Sequence, residues 1–124
     1  MTQINGFRDL IVYQKAYKLA MGIFDSTKNF PKEEKYALTD QIRRSSRSIT
    51  SNLAEAWAKK ICIKSFVNKL SDSLGEEYET EVWLKYSFDC EYLSKQEFES
   101  FMNECDEVRK MLISMINAPE KFCR

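Results

Sequence analysis

SKQEFESFMNECDEVRKMLISMINAP, residues 94–119, is a helix written with both its start and its stop. Ser94 and Glu97 have the spacing of a capping box, in which the serine oxygen accepts from the glutamate N–H and the glutamate carboxylate accepts from the serine N–H. Phe98, Phe101, Met102, Cys105, Val108, Leu112, Met115 and Ile116 then recur every three or four residues, the most regular apolar row in the chain. Pro119 removes the amide that a further turn would need.

The same period appears upstream. Leu10, Tyr13, Tyr17, Ala20, Met21 and Phe24 predict a helix over about 7–29, which Phe30-Pro31 interrupts because the residue before a proline is driven out of the α region. Leu38, Ile42, Ser45, Ser46, Ile49, Leu53, Ala56 and Trp57 predict a second over about 32–60, with Arg43, Arg44 and Arg47 on the opposite side of the wheel. Phe66, Val67, Leu70, Leu74, Tyr78, Leu84 and Phe88 predict a third over about 64–92, and the quoted segment a fourth over about 95–117. Helices of this length run about 35 to 43 Å, and short joins between them make neighbours antiparallel. The expectation is an all-α fold, an up-and-down antiparallel four-helix bundle forming one domain over residues 1–124.

Composition narrows the function. Only 3 of 124 residues are glycine and 2 proline, too little punctuation for a many-turned β fold. Nineteen basic and nineteen acidic side chains cancel, which argues against a surface that is basic throughout, though not against a local patch. There is no histidine, so the commonest general base and most metal sites are missing, and no glycine-rich phosphate loop replaces them. The expectation is a protein that is not an enzyme, with no catalytic, cofactor or metal residues, and no small-molecule substrate. Cys62, Cys90, Cys105 and Cys123 form no C-x-x-C pair. No apolar run approaches the roughly 18 residues that span a bilayer, and no secretory signal opens the chain. A cytoplasmic protein with reduced thiols and no membrane partner is expected.

Residue by residue, the chain resembles a known family. Phe7, Asp9-Leu10, Tyr13-Gln14, Ala16, Phe30-Pro31, Glu34, Tyr36, Leu38, Gln41-Ile42-Arg43-Arg44, Ser48-Ile49 and Ser51-Asn52-Leu53-Ala54-Glu55 carry the likeness. They resemble the bacterial four-helix-bundle proteins encoded in intervening sequences of large-subunit (23S) ribosomal RNA genes. That family includes the accessory protein of diversity-generating retroelements, which forms a pentameric barrel and works with a reverse transcriptase and its RNA. The resemblance implies a homopentamer in a nucleic-acid context, with RNA or a nucleic-acid-processing protein as partner. Ala56-Trp57-Ala58-Lys59-Lys60 stands where the family shows glycines, so the second helix is expected to run on before its turn.

Two charge blocks and one apolar row supply the candidate residues. Arg43, Arg44, Arg47, Lys59, Lys60 and Lys64 lie in a segment whose one acid is Glu55, and guanidinium and ammonium groups bind phosphate oxygens without reading sequence. They are the candidate RNA or phosphate site. Asp40, three and four residues before Arg43 and Arg44, offers ordinary helix-surface pairing as the competing account, and a basic helix docking on a neighbouring subunit is another. From Asp72 to Glu107 twelve acids face two lysines, which is either the complement such docking needs or a solvated acidic face that keeps the protein soluble. On the first helix Val12, Ala16, Leu19 and Ile23 form a second apolar row, read as a candidate subunit interface. With Leu70 defining the inward direction, Glu77 and Glu81 fall on the third helix's inward side, where either a partly buried pairing with arginines or a stripe that drifts around the helix is expected, and Glu55 and Glu79 are read as structural pairing residues. The functional expectation is a non-enzymatic, homo-oligomeric scaffold or adaptor with an RNA-binding basic patch. The alternative is a purely protein-binding accessory subunit whose basic residues serve the subunit interface.

Overall fold

The structure, a computed structural model, describes residues 3–123. Its four long helices are α1 (Ile11–Thr27), α2 (Asp40–Ala58), α3 (Ile63–Asp89) and α4 (Lys95–Asn117). Short 3-10 turns at Phe7–Asp9, Lys32–Glu34 and Pro119–Lys121 and a π turn at Lys35–Thr39 flank them. Each helix packs on two others, α1 on α2 and α4, α3 on α2 and α4, which closes a four-helix bundle. Cross-helix partners set the directions. As numbering rises in α2 from Arg44 through Ile49 to Glu55, the partners in α3 fall from Glu79 through Ser73 to Lys69. From Lys15 to Ser26 in α1 they fall from Glu107 to Glu97 in α4. Both pairs are antiparallel.

The capping box forms as read: Glu97 N–H donates to Ser94 Oγ and Ser94 N–H to Glu97 Oε1, each at 3.0 Å. Phe101, Cys105, Val108, Leu112 and Met115 of α4 are buried. They meet Leu19, Ile23, Ile42, Ile49, Leu53, Phe66, Leu70 and Leu84 in one core. Side chains of this kind each contribute roughly 1.5–3 kcal/mol on full burial. Gly22 lets α4 come close, since a Cβ there would lie 3.0 Å from Phe101 Cε1.

Three expectations need correction. First, α1 is turned about its axis. Val12, Ala16, Leu19 and Ile23, the row read as a subunit interface, are buried in the bundle at 0–3% exposure, whereas Tyr17 is 52% and Met21 44% exposed. Close packing selects the small and branched row; Tyr17 keeps its hydroxyl end in water. Second, Tyr78 of the expected α3 stripe is half exposed, and the core side of that helix runs through Ser73, Glu77 and Thr80. Ser73 Oγ donates to the Ile49 carbonyl at 2.8 Å and the hydroxyls of Ser45 and Thr80 lie 2.9 Å apart, so these hydroxyls are buried with partners. Third, α2 is shorter than expected. Residues 32–39 wind as 3-10 and π turns, and after Ala58 the chain breaks into a turn at Lys59. Lys59 donates there to both the Glu55 and Ala56 carbonyls.

Candidate nucleic-acid interface

The six cations singled out in the sequence occupy two places. Arg43, Arg44 and Arg47 line a shallow groove of about 450 Å³ on α2 together with Asp40, Ser48 and Ser51. Lys59, Lys60 and Lys64 surround the α2–α3 turn. Twelve residues separate Arg47 from Lys59, about 18 Å along a helix.

Within the groove the arginines differ. Arg43 turns toward α1, where Nε donates to Thr27 Oγ1 at 2.8 Å, Nη2 to the Phe24 carbonyl at 3.4 Å, and the guanidinium lies 4.7 Å from the Phe24 ring centre. It closes the end of α1, whose last carbonyls have no helical acceptor role left. Arg44 turns the other way and forks onto α3, reaching Glu76 at 3.2 Å and Glu79 at 2.5 Å. The hydrogen bonds it donates to Glu76, then to Glu79, hold its guanidinium even more firmly charged than usual. Asp40 is not the partner of either; it pairs with Lys35 at 3.3 Å. Spacing along one helix therefore misassigned the pairing, because both arginines reach across to neighbouring helices.

Arg47 is exposed between them, its guanidinium 5.5 Å from the Phe24 ring centre. Lys60 lies 4.2 Å over the Trp57 ring, and Lys59 and Lys64 are exposed. Among the described residues, Arg47, Lys59, Lys60 and Lys64 enter no ion pair with a carboxylate. Glu55, the acid of that segment, is drawn away to Lys69 at 3.1 Å. Among the described residues Arg43, held by a hydroxyl and a carbonyl, has no carboxylate partner either, so net positive charge is concentrated in the Arg43–Arg47 groove and at the α2–α3 turn.

The structure also carries surfaces that the sequence reading missed. Tyr78, Val82 and Tyr86, one turn apart along α3, are each about half exposed, beside a groove lined by Phe98 and Met102 of α4. The signal lay in their own four-residue spacing, obscured because Tyr78 also fits the core stripe. At the other end of the bundle a cleft of about 510 Å³ is lined by Ile4, Leu10, Ile11, Met111, Met115 and Phe122. Among the described residues no group of three metal-ligating side chains converges, and no helix is long and apolar enough to cross a membrane.

A family model described as 23S rRNA-intervening sequence protein matches residues 8–114 of this chain. The chain is also similar to a solved crystal structure, that of a protein with unknown function from the S23 ribosomal protein family of Bacteroides thetaiotaomicron VPI-5482. The two share 35% identity with a TM-score of 0.78, over 87% of this chain and 96% of that one. No curated protein matches the sequence.

Proposed function

Because the chain belongs to the 23S rRNA-intervening sequence protein family, and because Arg47, Lys59, Lys60 and Lys64 stand without carboxylate partners, we propose that it is a non-enzymatic helical scaffold that binds RNA backbone. The second of these observations carries the reading. Arg43 and Arg44 hold the bundle together, so phosphate contact falls to the other four cations, with Arg47 about 18 Å from the lysine corner. Trp57, under Lys60, adds an aromatic surface to that corner. Self-association multiplies the patch: in the pentamer that the family resemblance implies, each site recurs around the ring, and several weak contacts act together on one long RNA.

The test is salt dependence. Binding of the wild-type protein to a structured RNA should weaken steeply between 50 and 200 mM salt, on the order of tenfold or more if four phosphates are contacted. A variant with Arg47→Gln, Lys59→Gln, Lys60→Gln and Lys64→Gln should bind weakly with a flat salt response and keep its helical content. Equal affinity and slope in the two proteins would reject the reading.

A second reading, a protein-binding accessory subunit, is favoured by the exposed row Tyr78, Val82 and Tyr86. Aromatic side chains at helical spacing on an exposed face are suited to a protein contact. A basic α2 face on one copy and the acidic α3–α4 side of the next complement each other in charge. Under this reading the fourfold Gln variant changes its mass in solution before any RNA is added.

A further inference from the structure

The α2–α3 turn and the C-terminal turn bring two cysteines to one corner of the bundle. Cys62 is exposed and immediately precedes α3, and its carbonyl accepts the Phe66 N–H at 3.0 Å. Phe66 lies one turn on, and its ring stacks on Phe122 with centroids 6.2 Å apart and planes at 29°. Phe122 and Cys123 both donate to the Pro119 carbonyl at 3.0 Å, which folds the C-terminal turn back against the start of α3. Cys123 is half-buried there, where the charges of Cys62 and Lys60 both act on it. The other thiols lie elsewhere: Cys90 follows α3 at the opposite end, and Cys105 is fully buried in α4.

The two thiols are unequal. Ser65, through its hydroxyl and then its backbone N–H, holds Cys62 below the usual thiol range, and the Lys64 ammonium adds to this. Burial, and then the negative charge of Cys62, hold Cys123 above it. An exposed, readily ionised thiol beside a more basic and half-covered one is the arrangement of a peroxide-reactive cysteine and its resolving partner.

We propose that Cys62 and Cys123 form a hydroperoxide-driven redox latch that ties the C-terminal turn to the start of α3. The Cys62 thiolate attacks one peroxide oxygen; an S–O bond forms as the O–O bond breaks, and the departing oxygen takes a proton to leave as water or an alcohol. Cys62 is then a sulfenic acid. The Cys123 sulfur attacks the Cys62 sulfur, the S–S bond forms as the S–O bond breaks, and the Cys123 proton leaves with that oxygen as water. Two thiols have given up two electrons and one hydroperoxide has accepted them. A dithiol reductant reverses the step by exchange. Because the crosslink joins residues far apart in sequence, it restricts the unfolded chain and raises the unfolding temperature of the oxidised form.

The experiment uses the full chain with a few equivalents of hydrogen peroxide, followed by thiol blocking and intact-mass and peptide mapping. The wild-type protein should lose two hydrogens, carry an intrachain Cys62–Cys123 peptide, and unfold several degrees higher until dithiothreitol is added. Cys123→Ser should accumulate a dimedone-reactive Cys62, and Cys62→Ser should show neither product, both with wild-type helical content. Peroxide that leaves the wild-type pair unlinked overturns the proposal, as does a crosslink from Cys62 to Cys90 or to a second copy. Mapping on the wild-type chain decides the matter even if a variant misfolds.

Discussion

Arg109 of α4 donates to Glu81 of α3 at 2.7 Å and leaves Glu77, one turn earlier on α3, without a hydrogen bond. Arg109 also binds Asp106 of its own helix. Glu77 is fully buried near Cys105, and neither of its carboxylate oxygens has a partner. Burial first, then the neighbouring Glu81 carboxylate, push its carboxyl up to about 9, although Arg109 acts in the opposite sense. The side chain is therefore a neutral acid at pH 7, and a charged Glu77 would oppose the fold.

This gives the bundle a pH dependence of definite sign. The folded state holds the Glu77 proton up to about pH 9, while the unfolded chain releases it near the ordinary glutamate value of 4.5. Between those values folding takes up a proton. Stability is thus full below about pH 4.5 with respect to this group and is lost as pH rises toward 9, at no more than about 1.4 kcal/mol per pH unit. Urea unfolding at pH 5.5, 7 and 8.5 should show that decline in the wild-type protein and a flatter profile in Glu77→Gln. Parallel profiles would place the proton elsewhere.

Removing Arg109 tests the other half of the arrangement. Arg109→Met leaves Glu81, only 20% exposed, without its partner beside a second buried carboxyl. Breaking a well-buried pair costs about 3–5 kcal/mol, and with both groups partly in water about 2 kcal/mol is expected here. Arg109→Met combined with Glu81→Met should recover most of that loss, because no charge is then stranded. Denaturant titration of the two variants measures the difference.

How far this was legible in the sequence depended on whether one helix carried its own reference direction. In α4 it did: Ser94 and Glu97 fixed the start, and Phe101, Cys105, Val108 and Leu112 are the buried positions. In α1 apolar residues cover both sides, so the periodicity set a helix without choosing its inward face, and Leu19 and Tyr17 exchanged roles. In α3 the core side is polar at Ser73, Glu77 and Thr80; Glu77 is inward as expected, but hydrophobic patterning passes over Ser73 and Thr80 and adds Tyr78 instead. Glu55 and Glu79 have the pairing roles expected of them, the structure supplying Lys69 and Arg44 as partners, and Glu81 has the expected arginine, whereas Glu77, expected to pair in the same way, has none among the described residues. The partners of Arg43 and Arg44 lie 16 or more positions away in sequence, beyond the reach of any helix-spacing rule.

The buried hydroxyl pair makes a separate prediction. Ser45 and Thr80 share a hydrogen bond of 2.9 Å in the α2–α3 contact, in which one hydroxyl donates and the other accepts; the accepting hydroxyl donates its own proton to a carbonyl of its helix, that of Ile42 for Ser45 or of Glu76 for Thr80. Thr80→Val should cost about 1 kcal/mol, since it removes one partner while Ser45 keeps another. Ser45→Ala with Thr80→Val should cost less than the two single changes added together. A double-mutant cycle read by thermal unfolding gives the coupling.

Glu91 follows α3 with φ 66, the single non-glycine residue at positive φ among the described residues. The backbone there closes the helix: Glu91 N–H donates to the Phe88 carbonyl at 2.9 Å and Tyr92 N–H to that of Ser87 at 2.8 Å. A side chain in the left-handed region costs about 1 kcal/mol, which glycine avoids at some cost in chain entropy. Glu91→Gly should therefore stabilise the protein by about 0.5 kcal/mol. A fall in the unfolding temperature would show that the Glu91 side chain contributes more than its strain removes.

The corrected orientation of α1 changes how assembly is probed. Leu19 is fully buried and Ile23 nearly so, which means that Leu19→Glu with Ile23→Glu places unpaired charges inside a single chain and should abolish the helical signal itself. Any loss of mass in that variant says nothing about an interface. Tyr17 and Met21, four residues apart on the exposed side of α1, are the positions to change. If that face joins copies of the chain, Tyr17→Glu with Met21→Glu should keep the wild-type circular dichroism while light scattering falls from a mass near five chains toward 14.6 kDa. The same pair of substitutions on a protein that assembles through α3 leaves the mass unchanged, and Tyr78→Glu with Tyr86→Glu then dissociates it. A wild-type mass of 14.6 kDa at micromolar concentration would reject self-association altogether.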